Sequence, residues 1–232
     1  MSNQAEHESD DEPEQQQFKI ILLGDGAVGK TSIANRFAKE SFSQSYKQTI
    51  GLDFFIKRIV LPGDISVALQ LWDIGGQSIG SKMLGNYIHG SHAVIFCYDV
   101  TNADSFLDLE DWRSLVMKSA ADDKPVMALA GNKCDLSHIR AVRSEAINTF
   151  ADKHDMQVYF MSAKSGDQVN ACFHRLAAQL AEVSLSKADL QRLDGAENVV
   201  TAEIVNHPRH DPNVNKGEVP EFTKTGRSCS VS

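Results

Sequence analysis

Lys19-Ile20-Ile21-Leu22-Leu23 runs directly into Gly24-Asp25-Gly26-Ala27-Val28-Gly29-Lys30-Thr31. The run after Lys19 is apolar and rich in β-formers, and it stops at a glycine, as a strand buried on both faces does. The eight residues that follow match GxxxxGK[ST], and a helical pattern takes over after Gly29 and fades near Lys39. In a strand–loop–helix of this kind the glycines let the backbone wrap closely, so that its N–H groups point at phosphate oxygens. Lys30 then supplies a cation to the β and γ phosphates, and the Thr31 hydroxyl is a magnesium ligand.

Working outward, Asp53 to Leu61 and Ile65 to Trp72 read as two strands joined by Pro62-Gly63-Asp64, a hairpin signal. Residues 93–98, 126–130 and 158–161 are further short apolar runs. Between them Phe106, Leu109, Trp112 and Leu115 or Val116 recur at helical spacing, as do Val169, Cys172, Phe173, Leu176 and Leu180. Asp104 and Asp167 are the expected caps of these two helices. Strands alternating with helices imply right-handed crossovers and a mainly parallel sheet covered on both faces, a three-layer α/β fold. The hairpin adds one antiparallel edge strand.

The chain has 232 residues, 42% hydrophobic and 23% charged, enough for one sizeable core. No stretch approaches the run of about 18 apolar residues that crosses a membrane, and the acidic opening is unlike a secretory signal. Cys97, Cys134, Cys172 and Cys229 are widely spaced, without a paired metal-ligand pattern, and read as reduced thiols. The net charge is −8, and six acids with no lysine or arginine lie in residues 1–17, which leaves about −2 for the rest. Neither part is basic, so broad attraction to nucleic acid or anionic lipid is excluded. The expected organisation is an acidic leader over 1–17, one domain over 18–184 and a flexible tail over 185–232, with a little helix near Lys187 to Leu193.

Two further signals bear on ligands. Asp73 ends the second hairpin strand; such a residue is often a plain cap or turn residue, but beside a phosphate loop it is a magnesium ligand acting through water. Asn132-Lys133-Cys134-Asp135 follows the strand that ends at Ala130. An aspartate there accepts hydrogen bonds from guanine N1 and N2, whereas adenine offers no donors at those positions. Ser162-Ala163-Lys164 follows the next strand and is placed to offer a backbone N–H to the guanine oxygen.

In this order the motifs resemble those of the Ras-superfamily small GTPases over about residues 18–184, and within them the Rab family. Tyr46-Lys47-Gln48-Thr49-Ile50-Gly51-Leu52-Asp53-Phe54 is similar to the first Rab switch and Leu71-Trp72-Asp73-Ile74-Gly75-Gly76-Gln77 to the second; Tyr98-Asp99-Val100-Thr101 also fits. Residues 49–55 and 72–80 most resemble a divergent Rab branch. The resemblance implies the P-loop GTPase fold (G domain), a six-stranded mostly parallel sheet with one antiparallel edge strand and about five helices. It implies GTP or GDP and Mg2+ as cofactors. Gly24, Gly26, Ala27, Val28, Gly29, Lys30, Thr31 and Ser32 would then hold phosphates, and Thr31, Thr49 and Asp73 magnesium. Thr49 would also sense the γ-phosphate, Phe42 would pack on the guanine, Tyr46 would close over the phosphates, and Gly76 would bond the γ-phosphate. Gln77 would be the catalytic residue that orients water, with room left by Gly26. Asn132, Lys133, Asp135, Ser162, Ala163 and Lys164 would complete the base site. Two departures stand out: Ile74-Gly75 replaces the usual Thr-Ala, and Ser78 the usual Glu.

The chain stops at Cys229-Ser230-Val231-Ser232, a C-a-a-X box whose final serine favours farnesyl. Residues 185–228 hold six basic and seven acidic residues, so no polybasic patch supports that lipid, and one lipid gives only reversible attachment. The expectation is a monomeric, cytoplasmic switch attached reversibly to membranes through prenylated Cys229. Its expected partners are effectors reading the GTP form, an exchange factor, a GTPase-activating protein and a lipid-binding carrier, with no nucleic acid. Two alternatives remain at this point: a scaffold that holds GTP with little hydrolysis, and a small P-loop ATPase or nucleotide kinase.

Overall fold

The computed structural model describes residues 16–120 and 124–195. Six strands form one sheet: β1 (Gln16–Leu23), β2 (Leu52–Leu61), β3 (Ile65–Ile74), β4 (Ala93–Asp99), β5 (Val126–Asn132) and β6 (Gln157–Phe160). Their order is β2-β3-β1-β4-β5-β6. Only the edge strand β2 runs antiparallel to its neighbour; the other pairs are parallel. The expected architecture is therefore present.

Period-two alternation explains why helices cover both faces. Ile20 and Leu22 of β1 pack with Ile33, Ala34 and Phe37 of α1 (Lys30–Lys39) and with Val169, Cys172, Phe173 and Leu176 of α6 (Val169–Leu180). Ile21 and Leu23 point the other way. They pack with α2 (Leu84–Ile88), α3 (Ala103–Leu107), α4 (Leu109–Ser119) and α5 (Ser144–His154). Phe37 and Phe173 stack with ring centroids 4.1 Å apart and tie α1 to α6.

Several details differ from the sequence expectation. The described residues form seven α-helices where about five were expected: the helix expected around Phe106 to Val116 is two, and the little helix expected near Lys187 to Leu193 stands as α7 (Lys187–Gly195). Asp108 divides α3 from α4: its amide closes α3 onto Asp104 O, while its carbonyl receives the amides of Asp111 and Trp112 and starts α4. The cap of α3 is Asn102, not Asp104, since Asn102 Oδ1 accepts from the amides of Asp104 and Ser105. Asp167 does not cap α6 either; the N-cap is Gln168, and Asp167 Oδ2 accepts from Ser165 Oγ at 2.6 Å. β1 begins at Gln16, where Gln16 and Gln17 pair with Val67 and Ala68, so the strand reaches into the stretch read as leader. At the other end Leu185, one residue past the expected domain limit at Ser184, packs against the α1–α6 core beside Val183.

Candidate functional site

The carboxyl ends of β1, β3, β5 and β6 converge on one cleft of about 990 Å³. Its floor is the loop after β1. Lys30 folds back over that loop and donates to Gly24 O at 2.6 Å and Asp25 O at 2.7 Å. Burial pushes the Lys30 ammonium below its ordinary value, against the pull of Cys97, Asp73 and Asp25. Gly29, at φ +99°, starts α1 where a Cβ would stand 2.3 Å from Asn132 Nδ2, so only glycine lets the two loops meet there.

Gly26, Ala27, Gly29, Lys30, Thr31 and Ser32 line the cleft on the loop side. Phe42, Tyr46, Thr49, Gly76 and Gln77 line it from the two long loops, and Asn132, Lys133, Asp135, Ala163 and Lys164 from the far end. Three of the expected residues stand behind the wall instead. Gly24 O faces Lys30, Val28 O accepts from Asn132 Nδ2 at 2.9 Å, and buried Ser162 donates through Oγ to Asp135 Oδ1 at 2.7 Å. The Ala163 amide donates to Asn132 Oδ1 at 3.0 Å. Cys229 lies outside the described residues.

Below the cleft, Thr31 Oγ1 donates to Asp73 Oδ2 at 2.5 Å and Thr49 Oγ1 donates to the same oxygen at 3.2 Å; the two hydroxyls lie 2.8 Å apart. Asp73 sits one residue inside the end of β3, fully buried, and its Oδ1 has no hydrogen-bond partner among the described residues. Burial raises the Asp73 carboxyl above its ordinary value, opposed by the Thr31 hydrogen bond and the charge of Lys30. One carboxylate with an orphaned buried oxygen, flanked by two hydroxyls, fits a hard cation that keeps most of its shell from water and phosphate, which is magnesium's habit. Among the described residues no group of three or more His, Cys, Asp or Glu gathers to hold a metal by itself.

The two long loops touch across the cleft mouth. Gly75 donates its amide to Gly51 O at 2.9 Å, and Gly76 lies against the backbone of Asp25 and Gly26 with no space for a Cβ. Tyr46, 66% exposed, carries its hydroxyl 3.9 Å from where a Gly26 Cβ would be. Sequence reasoning did not assign Asp99 to the site, although its Oδ2 pairs with Lys133 Nζ at 2.7 Å. It also left out Asp25 as a side chain, whose Oδ1 accepts from the indole N–H of buried Trp112 at 3.0 Å. Neither acid has a sequence signal of its own, because each gains its partner only through neighbouring elements.

The Ras family profile matches residues 19–182 of the chain. Ras-related protein Rab-28 of Caenorhabditis elegans is 44% identical over 206 residues, 88% of this chain and 82% of the relative. The divergent branch that residues 49–55 and 72–80 resemble is this Rab twenty-eight branch. Ras-related protein Rab-10 of the same organism is 36% identical over 76% of this chain and 87% of its own length. Ras-related protein Rab-3A of Homo sapiens is 33% identical over 94% of both chains. The chain belongs to the Ras family and, within it, is a Rab-type small GTPase that works with GTP or GDP and Mg2+.

Proposed function

We propose that this chain is a guanine-nucleotide switch of intracellular trafficking, recruited reversibly to membranes and ordered by the γ-phosphate. The observation that carries this reading is the meeting of Thr31, Thr49 and Asp73, which joins the phosphate loop, the first long loop and β3 at one buried oxygen. Thr31 and Asp73 would hold magnesium in either nucleotide state. Thr49, on a loop with little other anchorage, would join them only while a γ-phosphate is present, so that cleavage releases the loop. A magnesium ion bound there neutralises charge on the phosphates. Lys30 holds the β and γ phosphates, Gly76 donates its N–H to the γ-phosphate, and Gln77 at the cleft rim orients the attacking water. Tyr46 covers the phosphates and Phe42 packs on the guanine. Asp135, held by Ser162, reads the base.

Intrinsic cleavage in such proteins is on the order of 10⁻⁴ to 10⁻² per second, so a GTPase-activating protein sets the lifetime of the active state. Single-turnover cleavage of bound GTP by purified protein with magnesium, with ATP as the control, tests the reading. Slow GTP cleavage with no ATP retained supports it, and Gln77→Leu is expected to slow that cleavage by about tenfold or more. Tight GTP binding without cleavage overturns it in favour of a GTP-holding scaffold.

Membrane attachment is assigned to a prenyl group on Cys229, aided by a lipid-binding carrier, with effectors and an exchange factor acting at the two long loops. Among the described residues no helix is long and apolar enough to cross a membrane. With one lipid and no basic patch, the chain partitions between soluble and membrane pools. Cell fractionation of Cys229→Ser is expected to show it lost from the membrane pool; an unchanged membrane fraction rejects the anchor.

A further inference from the structure

We propose that Asp99 is the positioning residue of the base loop: its carboxylate fixes Lys133, and through Lys133 the segment Asn132 to Asp135, in the conformation that selects guanine. The proposal rests on the reading of that segment as the base site.

Asp99 is the last residue of β4 and stands in register with Asn132, the last of β5. It is 8% exposed, yet every part of it is engaged. Oδ2 pairs with Lys133 Nζ at 2.7 Å, and Oδ1 accepts from the Thr101 amide at 2.9 Å and the Thr101 hydroxyl at 2.7 Å. Its own N–H donates to Ser105 Oγ at 3.1 Å. The carboxylate is thus held from its own strand and aimed at the neighbouring loop. Burial works against its charge, but the hydrogen bonds from Lys133 and Thr101 outweigh that and keep the acid below its ordinary value.

Lys133 has φ 68° and ψ 34°, a left-handed conformation that a residue with a Cβ adopts only when its surroundings demand it. The peptides on either side are pinned by other strands. Asn132 O accepts from the Val100 amide at 3.1 Å, and the Cys134 amide donates to Met161 O at 3.1 Å. The Asn132 side chain is used at both ends, toward Val28 O and the Ala163 amide. The Lys133 carbonyl accepts from the Leu136 amide at 2.9 Å, and its side chain is held by Asp99. Without that ion pair Lys133 has a reason to leave the left-handed region, and Asp135, two residues on, turns with it.

The test is release of GDP and of inosine diphosphate, which lacks the 2-amino group, from the full chain with magnesium. Asp99→Asn keeps the volume and the acceptor for Thr101 but removes the charge facing Lys133. GDP release is expected to accelerate about tenfold and inosine diphosphate release by less, so that discrimination between them shrinks. Lys133→Met is expected to do the same, and the double variant to exceed neither single by more than about twofold. Thr101→Val, which removes one donor from the carboxylate, should shift discrimination in the same direction by less and serves if Asp99→Asn does not fold. Equal acceleration for both nucleotides, or additive single effects, overturns the positioning role. Wild-type protein that retains no GDP overturns the guanine reading itself. Retention of GDP with unaltered discrimination in Asp99→Asn overturns this proposal alone.

Discussion

Gly75 stands where the Rab pattern carries alanine, and the geometry around it gives that departure a physical meaning. Its amide donates to Gly51 O at 2.9 Å, and a Cβ added to it would lie 2.5 Å from Thr49 O, a backbone atom. The missing methyl therefore lets the two long loops share a backbone contact beside the residue assigned to sense the γ-phosphate. Gly75→Ala is expected to push the Thr49 peptide away and to weaken GTP retention selectively, by roughly 1 kcal/mol or about fivefold. Release rates of GTP and GDP measured side by side decide the matter; an equal change for both nucleotides rejects the coupling. At this scale the phosphate loop was legible in the sequence, because cradling phosphate with backbone dictates Gly24, Gly29, Lys30 and Thr31 at fixed spacing. Asp99 was not, since an aspartate at a strand end is ordinary until β5 is laid beside β4 and brings Lys133 to it. The contact of the Ala163 amide with Asn132 was hidden for a related reason, since it is written in no local pattern.

Strands were easier to read than helices in this chain. β1, β4 and β5 are continuous apolar runs because both faces are covered. α5 turns only Ile147 and Ala151 fully inward and α2 only Leu84 and Ile88, too few to mark a helical period. The α3–α4 pair shows how a periodic pattern hides a break. Phe106, Leu109, Trp112 and Val116 share one core face, yet the backbone restarts at Asp108 with no change in that spacing. The cap shifted in the same region. Asp104 has the right chemistry, but Asn102 has the extended backbone, φ −127° and ψ 106°, that places a side-chain oxygen over the free amides of Asp104 and Ser105. Asn102→Ala is accordingly expected to cost about 1 kcal/mol in denaturant unfolding, and Asp104→Ala less. Equal losses from the two variants would return the cap to Asp104.

Across the whole cleft, two halves are held by different means. The base end rests on β5, β6 and their loops, joined by neutral and ionic contacts that are complete within the protein: Asn132 to Val28 and Ala163, Asp135 to Ser162, Lys133 to Asp99. The phosphate end leaves Asp73 Oδ1 buried without a partner among the described residues, so its order depends on what is bound there. The Asp73 carboxyl, raised above 3.8 by burial, holds its proton more tightly in the folded chain than in the unfolded one. Protonation as the pH falls therefore stabilises the metal-free fold, while magnesium, which needs the ionised carboxylate, binds more weakly. The two trends have opposite signs, and that opposition makes them separable. Chelation of magnesium is expected to speed GDP release by about tenfold or more, and acidification toward the raised Asp73 value to mimic it in part. Hydrogen exchange on the same samples should show protection lost over residues 42–51 and 75–83 and kept over β5 and β6. Loss spread evenly over both ends of the cleft would mean that the metal supports the whole molecule, and the division between a ligand-ordered phosphate end and a self-sufficient base end would be wrong.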